Sequence, residues 1–140
     1  MRVFLDANVL FSAAYRDSGS VRVFFPLAQA GACKLVTSAY ALDEARRNIR
    51  AKHPERLADL ELLATKLAVC GEPTTRTLAG IATLGLPMKD EPILAAAIDA
   101  KCHLLVTGDR THFGKLFGKR IHGTVVVLPI DAIEILVGEG

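Results

Sequence analysis

The chain has 140 residues, of which 51% are hydrophobic and 23% are charged. This length suffices for one hydrophobic core but is short for two, and the composition excludes an intrinsically disordered protein. The formal net charge of +2 is too small to indicate a nucleic-acid partner by itself, so the distribution of the charges matters more than their sum.

The cysteine content and the hydropathy of the sequence indicate the cellular compartment of the protein. Cys33, Cys70 and Cys102 form no CxxC pair, and their odd number leaves one unpaired in any disulfide scheme. We therefore expect buried thiols in a reducing cytoplasm. No signal peptide precedes the first strand, and no apolar run approaches the roughly 18 residues that a membrane-spanning helix needs. These patterns predict a cytoplasmic protein that does not enter a membrane.

The first half of the chain alternates short apolar runs with helical patterns. The predicted elements are a strand at 2–6, a helical turn at 9–15, a break at 17–20, a helix at 21–30 capped by Ser20, and a strand at 33–37. Ser38 is predicted to cap the next helix and Pro54 to open another. The pair at 38–53 and 54–69 is interpreted as a helical arm.

In the second half, the sequence pattern predicts each element except at residues 70–88, where Thr75 to Leu84 could be a helix or a loop with strand character. The elements predicted after it are a helix at 89–101, a strand at 104–107, a strand at 124–128, and a terminal helix from Pro129 with Ile130, Ile133 and Leu136 on one face.

The alternation of near-continuous apolar strands with helices indicates a parallel sheet covered on both sides. The predicted fold class is therefore α/β, a three-layer α/β/α sandwich with a central, mainly parallel, twisted sheet of four to five strands. No internal repeat, linker or low-complexity tract interrupts the chain, so residues 1–140 are expected to form a single domain.

Four acidic residues stand where a parallel sheet would bring them to one edge. Asp6 and Asp109 follow strands, Asp90 precedes a helix, and Glu44 lies in the helix after the second strand. Ligands of open α/β sheets bind outside the carboxyl ends of the strands. Carboxylates this close repel, so one or more divalent cations are expected, and oxygen ligands indicate Mg²⁺ or Mn²⁺. Phosphodiester hydrolysis is the chemistry that such a site favours.

Two polar side chains could support the acids. Asn8 could hydrogen-bond the Asp6 carboxylate or cap the following helix, and the cap is the favoured interpretation. Thr107 could contact a metal-bound water or satisfy local backbone groups. Gly108 is interpreted as permitting a tight turn before Asp109.

Neighbouring acids leave alternatives at two of the four positions. Asp43 could take the place of Glu44, which is preferred because its apolar neighbours suggest the inward face of the helix. Glu91 competes with Asp90, which could also serve merely as a helix cap or dipole partner.

Two basic runs flank the predicted acidic pocket. One includes Arg46 and Arg50, and the other includes Arg110 and Lys115. Such charges would suit a polyanion whose phosphate must reach bound metal, although either run could equally be the solvated face of a helix. For Arg110 the exposed side chain is the favoured interpretation. His112 is interpreted as an RNA-facing loop residue.

The ordered motifs resemble those of the PIN-domain ribonucleases, especially the VapC-like toxins of bacterial and archaeal toxin–antitoxin systems. The segments that carry this resemblance are Val3–Leu10, Ser38–Glu44, Asp90–Ala97, Leu105–Asp109 and Val125–Pro129. They span nearly the whole chain, and the first and last are the most specific. Many relatives carry a run of acids before the helix that follows Asp90, whereas here only Asp90 and Glu91 stand after Lys89.

The resemblance implies specific roles. The implied catalytic acids are Asp6, Glu44, Asp90 and Asp109, with metal ligands at Asp6, Asp90 and Asp109 and supports at Asn8 and Thr107. Glu44 would be either a ligand or an orienter of the attacking water. The implied activity is that of a Mg²⁺- or Mn²⁺-dependent endoribonuclease, commonly a homodimer and commonly silenced by a small antitoxin protein.

Two other functions remain open at this point. The triplet Asp6-Ala7-Asn8 is similar to the nucleophile loop of haloacid-dehalogenase-like phosphatases, but Asn8 cannot act there as an acid or base, and Glu44 would have no role. A non-catalytic RNA- or protein-binding module on the same scaffold would be expected to have lost a ligand, whereas all four acids are present.

Overall fold

A computed structural model describes residues 1–16 and 19–138, and its strands form one sheet. The strands are β1 (Arg2–Leu5), β2 (Lys34–Ser38), β3 (Ala68–Cys70), β4 (Leu104–Val106), β5 (Arg120–Ile121) and β6 (Thr124–Val127). Their spatial order is β3-β2-β1-β4-β6-β5, and every neighbouring pair is parallel except β5 with β6. The predicted, mainly parallel sheet is thus confirmed.

Helices connect the strands. They are α1 (Ala7–Tyr15), α2 (Phe24–Gln29), α3 (Ala39–Lys52), α4 (Leu57–Ala64), α5 (Thr75–Ile81), α6 (Glu91–Asp99), α7 (Arg110–Phe113) and α8 (Pro129–Gly138), with short 3₁₀ helices at Ser20–Val23, Pro54–Arg56 and Gly114–Leu116. In the described part of the chain, no helix is both long and apolar enough to cross a lipid bilayer.

Alternate residues of each strand enter two different cores, because successive side chains of a strand point to opposite faces. In β1, Val3 and Leu5 pack in a core with residues of α1 to α4 and α8, while Phe4 packs in a second core with residues of α5, α6 and α7. In β4, Leu105 enters the second core and its neighbours Leu104 and Val106 the first. The predicted three-layer α/β/α sandwich is therefore confirmed.

The sheet has six strands in the described residues, where four to five are predicted. The helix predicted to reach residue 69 ends at Ala64, and Ala68 to Cys70 pair with β2 as a parallel strand. The second extra strand, β5, is joined to β6 by a turn in which His122 and Gly123 both have positive φ. Strands of two or three residues are too short to show a period, so the tertiary pairing decides them.

Residues 70–88, for which the sequence pattern predicts no definite element, contain helix α5. Thr74 caps this helix by accepting a hydrogen bond from the Thr77 backbone N–H at 3.2 Å. Asp99 of α6 accepts one from the Thr74 N–H at 2.7 Å, which ties α5 to α6. Ile81 is fully buried. Of the two alternatives for Thr75 to Leu84, the helix is correct up to Ile81.

Two helices of the structure differ in detail from the predicted ones. The helix at 21–30 is divided into a 3₁₀ turn from Ser20 and the short α2; of the break at 17–20, Asp17 and Ser18 lie outside the described residues. In α8 the buried residues are Ala132 and Leu136, whereas Ile130 is 65% exposed. The predicted common face of Ile130, Ile133 and Leu136 is therefore divided, since Leu136 is buried, Ile133 is partly buried and Ile130 is exposed.

Helices α3 and α4 pack against α1 and against each other. Ile49 of α3 and Leu60 of α4 are fully buried in that packing. The interpretation of residues 38–69 as an arm, and of residues 1–140 as one domain, stays a prediction. The three thiols are free; Cys33 and Cys102 are buried as expected, while Cys70 is only partly covered.

We expect Leu94→Ala to destabilise the protein strongly. Leu94 lies in α6 with no exposed surface, so its truncation loses burial and leaves a cavity that costs about 2–5 kcal/mol. The same substitution at Leu62, which is 61% exposed, should change stability by no more than about 0.5 kcal/mol. Urea denaturation of both variants measures this difference. Equal losses would contradict the assignment of α6 to the core.

Candidate metal centre

The predicted acids meet at the topological switch point of the sheet. The chain runs outward from β1 to β2 on one side, and β4 flanks β1 on the other, so a crevice opens beyond the carboxyl ends of β1 and β4. The register places Leu5 opposite Val106. The next residues, Asp6 and Thr107, therefore leave the sheet side by side.

Asp6 is buried at this edge and holds three hydrogen bonds. Its Oδ1 accepts from the Ala7 N–H at 2.7 Å, which makes it the N-cap of α1. Its Oδ2 accepts from the Thr107 hydroxyl at 2.8 Å and from Asn8 Nδ2 at 3.2 Å. Burial raises the pKa of Asp6 to about 6, against the bonds from Thr107 and Ala7, which lower it. The charges of Glu44 and Asp90 raise this pKa further.

The preferred role of Asn8 as a helix cap is wrong, because Asp6 already occupies that position. Asn8 instead spans the two strand ends. Its Nδ2 donates to Asp6 and, at 3.1 Å, to Thr107 Oγ1, while its Oδ1 accepts from the Gly108 N–H at 2.8 Å. The alternative considered for Asn8, a hydrogen bond to the Asp6 carboxylate, is the correct one.

Thr107 is fully buried, and its hydroxyl is saturated by neighbours. It donates to Asp6 and accepts from Asn8 Nδ2 and from the Asp109 N–H, the last at 3.2 Å. Of its two alternatives, the satisfaction of local polar groups is the one that the structure displays. Gly108 is not among the glycines with positive φ; instead, a Cβ there would lie 3.3 Å from Asn8 Oδ1. The lack of a Cβ at Gly108 thus allows Asn8 to approach the backbone closely, and it is not needed for a turn with positive φ.

Asp90 and Asp109 converge on the imidazole of His112. The His112 Nδ1 lies 2.7 Å from Asp109 Oδ2 and 3.1 Å from Asp90 Oδ2. Asp109 also caps α7, because its Oδ1 accepts from the His112 backbone N–H at 3.0 Å. The interpretation of His112 as an RNA-facing loop residue is wrong, since it lies in α7 and its ring faces the two carboxylates.

Asp90 stands at the N-cap position of α6, but its side chain makes no capping hydrogen bond. The alternative of a mere cap is therefore not what the structure displays. Burial raises the pKa of Asp90, while the nearby His112 and Lys89 lower it and Asp109 raises it. Its Oδ2 is buried and has no hydrogen-bond partner among the described residues.

Glu44 faces this edge across a pocket of about 440 Å³ that is also lined by Asn8 and Asp109. The competing Asp43 is exposed and lies 3.2 Å from the Arg46 guanidinium on the outer side of α3. The geometry therefore brings Glu44, and not Asp43, to the predicted acids.

The four predicted RNA-binding residues differ in their surroundings. Arg46 is held by both carboxylate oxygens of Glu61 at 2.8 Å, an arrangement that joins α3 to α4. Its guanidinium is therefore engaged within the protein. Arg50, Arg110 and Lys115 are exposed.

The donor set fits a divalent cation. Asp90, Asp109 and His112 each offer one ligand atom, and these atoms lie within 4.8 Å of one another. A buried carboxylate oxygen without a partner is costly, and a cation would supply the missing charge. The predicted ligand Asp6 is not in this group, and its role as a ligand stays a prediction. Sequence reasoning singled out His112 but did not place it in this group, although it lies only three residues after Asp109.

The chain belongs to the PIN-domain family, because the model of the PIN domain matches residues 2–111. The resemblance predicted from the sequence is thereby confirmed. His112 lies directly beyond the matched segment. A comparison with curated protein sequences found no match.

Solved structures share the fold. A chain of VapBC2 from Rickettsia felis, bound to a promoter DNA fragment, has a TM-score of 0.68 and 16% identity, covering 91% of this chain and 98% of that one. VapBC-1 from nontypeable Haemophilus influenzae has a TM-score of 0.61 and 15% identity, covering 93% and 99%. PAE2754 from Pyrobaculum aerophilum has a TM-score of 0.65 and 17% identity, covering 99% and 96%. At these identities, the likeness shows the fold alone.

We expect the metal-free protein to lose stability as the pH rises through about 6. The folded state holds the Asp6 proton more tightly than the unfolded state does, so this contribution is complete at pH 4 and below and is lost above pH 6. Its size is about 3 kcal/mol. Urea denaturation in EDTA from pH 4 to 7.5 should give a flatter profile for Asp6→Asn than for the wild type. Parallel profiles would contradict the raised pKa.

We expect the Thr107 hydroxyl to contribute to the stability of the protein. Thr107→Val keeps the shape of the side chain but leaves Asn8 Nδ2 and the Asp109 N–H without their acceptor, which should cost about 1–3 kcal/mol. Thr107→Ser keeps the hydroxyl and loses a methyl group, so it is the matched control and should be the more stable of the two. Chemical denaturation checks the order, and a Ser variant as unstable as Val would refute it.

Proposed function

We propose that this protein is a metal-dependent endoribonuclease and the toxin component of a toxin–antitoxin pair. One observation carries the proposal: four acids converge at the switch point of a PIN fold. They are Asp6, Glu44, Asp90 and Asp109. Gathering carboxylates at a crevice is unfavourable unless a cation joins them, and phosphodiester hydrolysis is a reaction that such centres support.

In this mechanism, Asp6, Asp90 and Asp109 would hold a Mg²⁺ or Mn²⁺ ion. When bound, the cation lowers the pKa of a water molecule and stabilises charge on the phosphate oxygens. Glu44, across the pocket, orients the attacking water and accepts its proton. Attack by water rather than by the RNA 2′-hydroxyl leaves a 5′-phosphate and a 3′-hydroxyl.

The chain's own hydrogen bonds fix the acids for this role. Asn8 and Thr107 hold the Asp6 carboxylate from two different strand ends. The backbone of α7 holds Asp109 through the His112 N–H. Asp6 and Asp109 are therefore oriented before substrate arrives, which reduces the reorganisation that catalysis requires.

Exposed basic side chains would contact the RNA backbone. Arg50, Arg110 and Lys115 are exposed and would neutralise phosphates. We leave Arg46 out of this set, because its two bonds to Glu61 secure the junction of α3 and α4.

The proposal includes a protein partner. Structures with the same fold include VapBC complexes, one of them bound to promoter DNA, and this supports an antitoxin for the present chain. The family resemblance also supports a homodimer. The three free cysteines are compatible with work in a reducing cytoplasm.

A phosphatase of the haloacid-dehalogenase type fits the site poorly. Its nucleophilic aspartate must reach a substrate phosphate, whereas Asp6 is 4% exposed and both its oxygens accept hydrogen bonds. Asn8, at the position of the acid–base group, is tied to Asp6 and Gly108.

Cleavage of a mixed cellular RNA pool tests the proposed activity. We expect cleavage with Mn²⁺ or Mg²⁺ and none in EDTA. Glu44→Gln should lower the rate by about 100-fold or more, because the base is lost. Asp43→Asn, one residue away on the exposed side of α3, is the matched control and should retain the rate.

The product ends provide an independent check. Labelling by polynucleotide kinase only after phosphatase treatment would demonstrate a 5′-phosphate. RNA cleavage that persists in EDTA, or equal losses in the two variants, would refute the assignment. Metal binding without any RNA cleavage would favour a non-catalytic module on the same scaffold.

A further inference from the structure

The ring of His112 is placed between two carboxylates in an unusual way. Its Nδ1 lies 2.7 Å from Asp109 Oδ2 and 3.1 Å from Asp90 Oδ2. Such short separations normally indicate hydrogen bonds. Yet His112 Nδ1 has no hydrogen-bond partner of acceptable geometry in the described part of the chain. The nitrogen is thus close to both oxygens without a hydrogen bond to either.

These separations match those of neighbouring ligands around one cation. Ligands at about 2.0–2.1 Å from an octahedral ion are about 3 Å apart when they occupy adjacent positions. A nitrogen that points at such an ion points between the flanking oxygens and not at them. Short distances without aligned N–H groups are therefore expected of a shared metal site.

Asp90, the partner in this contact, supplies a second observation. Its side chain belongs to a residue that is 8% exposed, and its Oδ2 has no hydrogen-bond partner among the described residues. This oxygen is the one that lies beside His112 Nδ1. A buried carboxylate oxygen is seldom left unpaired, because its desolvation is then uncompensated.

We propose that His112 is a nitrogen ligand of the metal centre together with Asp90 and Asp109, and that it gives the centre a preference for Mn²⁺ over Mg²⁺. This inference rests on the proposed function, because it concerns the same centre. Oxygen-only sites suit Mg²⁺, whereas imidazole is a ligand of transition metals and binds Mg²⁺ poorly. His112 would therefore determine which cation the enzyme uses.

The local fold holds the ring in place. Asp109 accepts from the His112 backbone N–H, and Phe113, the next residue, is fully buried. Neither contact involves the imidazole. Replacing the His112 side chain should therefore leave the position of Asp109 and the packing of α7 intact.

A rival role for His112 predicts the opposite result. A protonated imidazole could act as a counter-ion that neutralises the two carboxylates and competes with the metal. Removing a counter-ion would strengthen cation binding, whereas removing a ligand would weaken it. The sign of the change in affinity distinguishes the two roles.

Calorimetric titration of the full, tag-free chain with Mn²⁺ and with Mg²⁺ tests the inference. We expect His112→Ala to weaken Mn²⁺ binding by about tenfold or more and Mg²⁺ binding by much less. The control is His122→Asn, which removes a histidine from the β5–β6 turn; its φ of 48° is one that asparagine tolerates. The control should bind both ions as the wild type does.

Electron spin-echo spectroscopy of the Mn²⁺ complex gives a readout that does not depend on a variant folding. A directly bound imidazole produces ¹⁴N modulation, expected in the wild type and in His122→Asn but not in His112→Ala. Mn²⁺ bound without this modulation, or bound more tightly by His112→Ala, would overturn the inference and leave the proposed nuclease intact. Binding of Mg²⁺ but not of Mn²⁺ by the wild type would overturn the inference alone, whereas failure to bind either ion would overturn both the inference and the metal centre of the proposed function.

Discussion

The parallel pairing of β1 with β4 is the constraint on which the site depends. Because Leu5 lies opposite Val106, the residues that follow both strands emerge at the same edge, and Asp6 meets the Thr107 hydroxyl. The carboxylate is thereby buried among groups that cannot fully replace water, and its pKa rises. A shift of the β4 register by one residue would turn Thr107 to the opposite face and leave Asp6 without this donor.

Asn8 converts this pairing into a rigid unit. Its amide contacts groups from both strand ends, and the absence of a Cβ at Gly108 allows the close approach. The network explains why a residue of helix α1 and a glycine of a distant loop matter to the same carboxylate. Satisfied polar networks of this kind hold side chains in one arrangement, which would suit the proposed metal centre.

The contact of His112 with Asp90 and Asp109 changes the chemistry that the acids alone suggest. Four carboxylates indicate a hard cation, whereas an imidazole among them introduces a softer donor. The residue lies only three positions after Asp109, on the short helix that Asp109 itself caps. The helix cap and the position of the ring are therefore coupled, because the same carboxylate contacts both the His112 backbone N–H and its ring.

Local patterns determined much of this protein: the alternating elements, the apolar strands, the Ser38 cap, and the acids at strand ends and a helix start. These follow from periodicity and chain chemistry, which neighbours along the sequence express. The strands β3 and β5, the bridging role of Asn8, the engagement of Arg46 by Glu61, and the position of His112 were decided only by the tertiary structure. Each of these features depends on partners distant along the chain or on the direction of one side chain. Such contacts produce no periodic pattern in the sequence, so the sequence does not predict them.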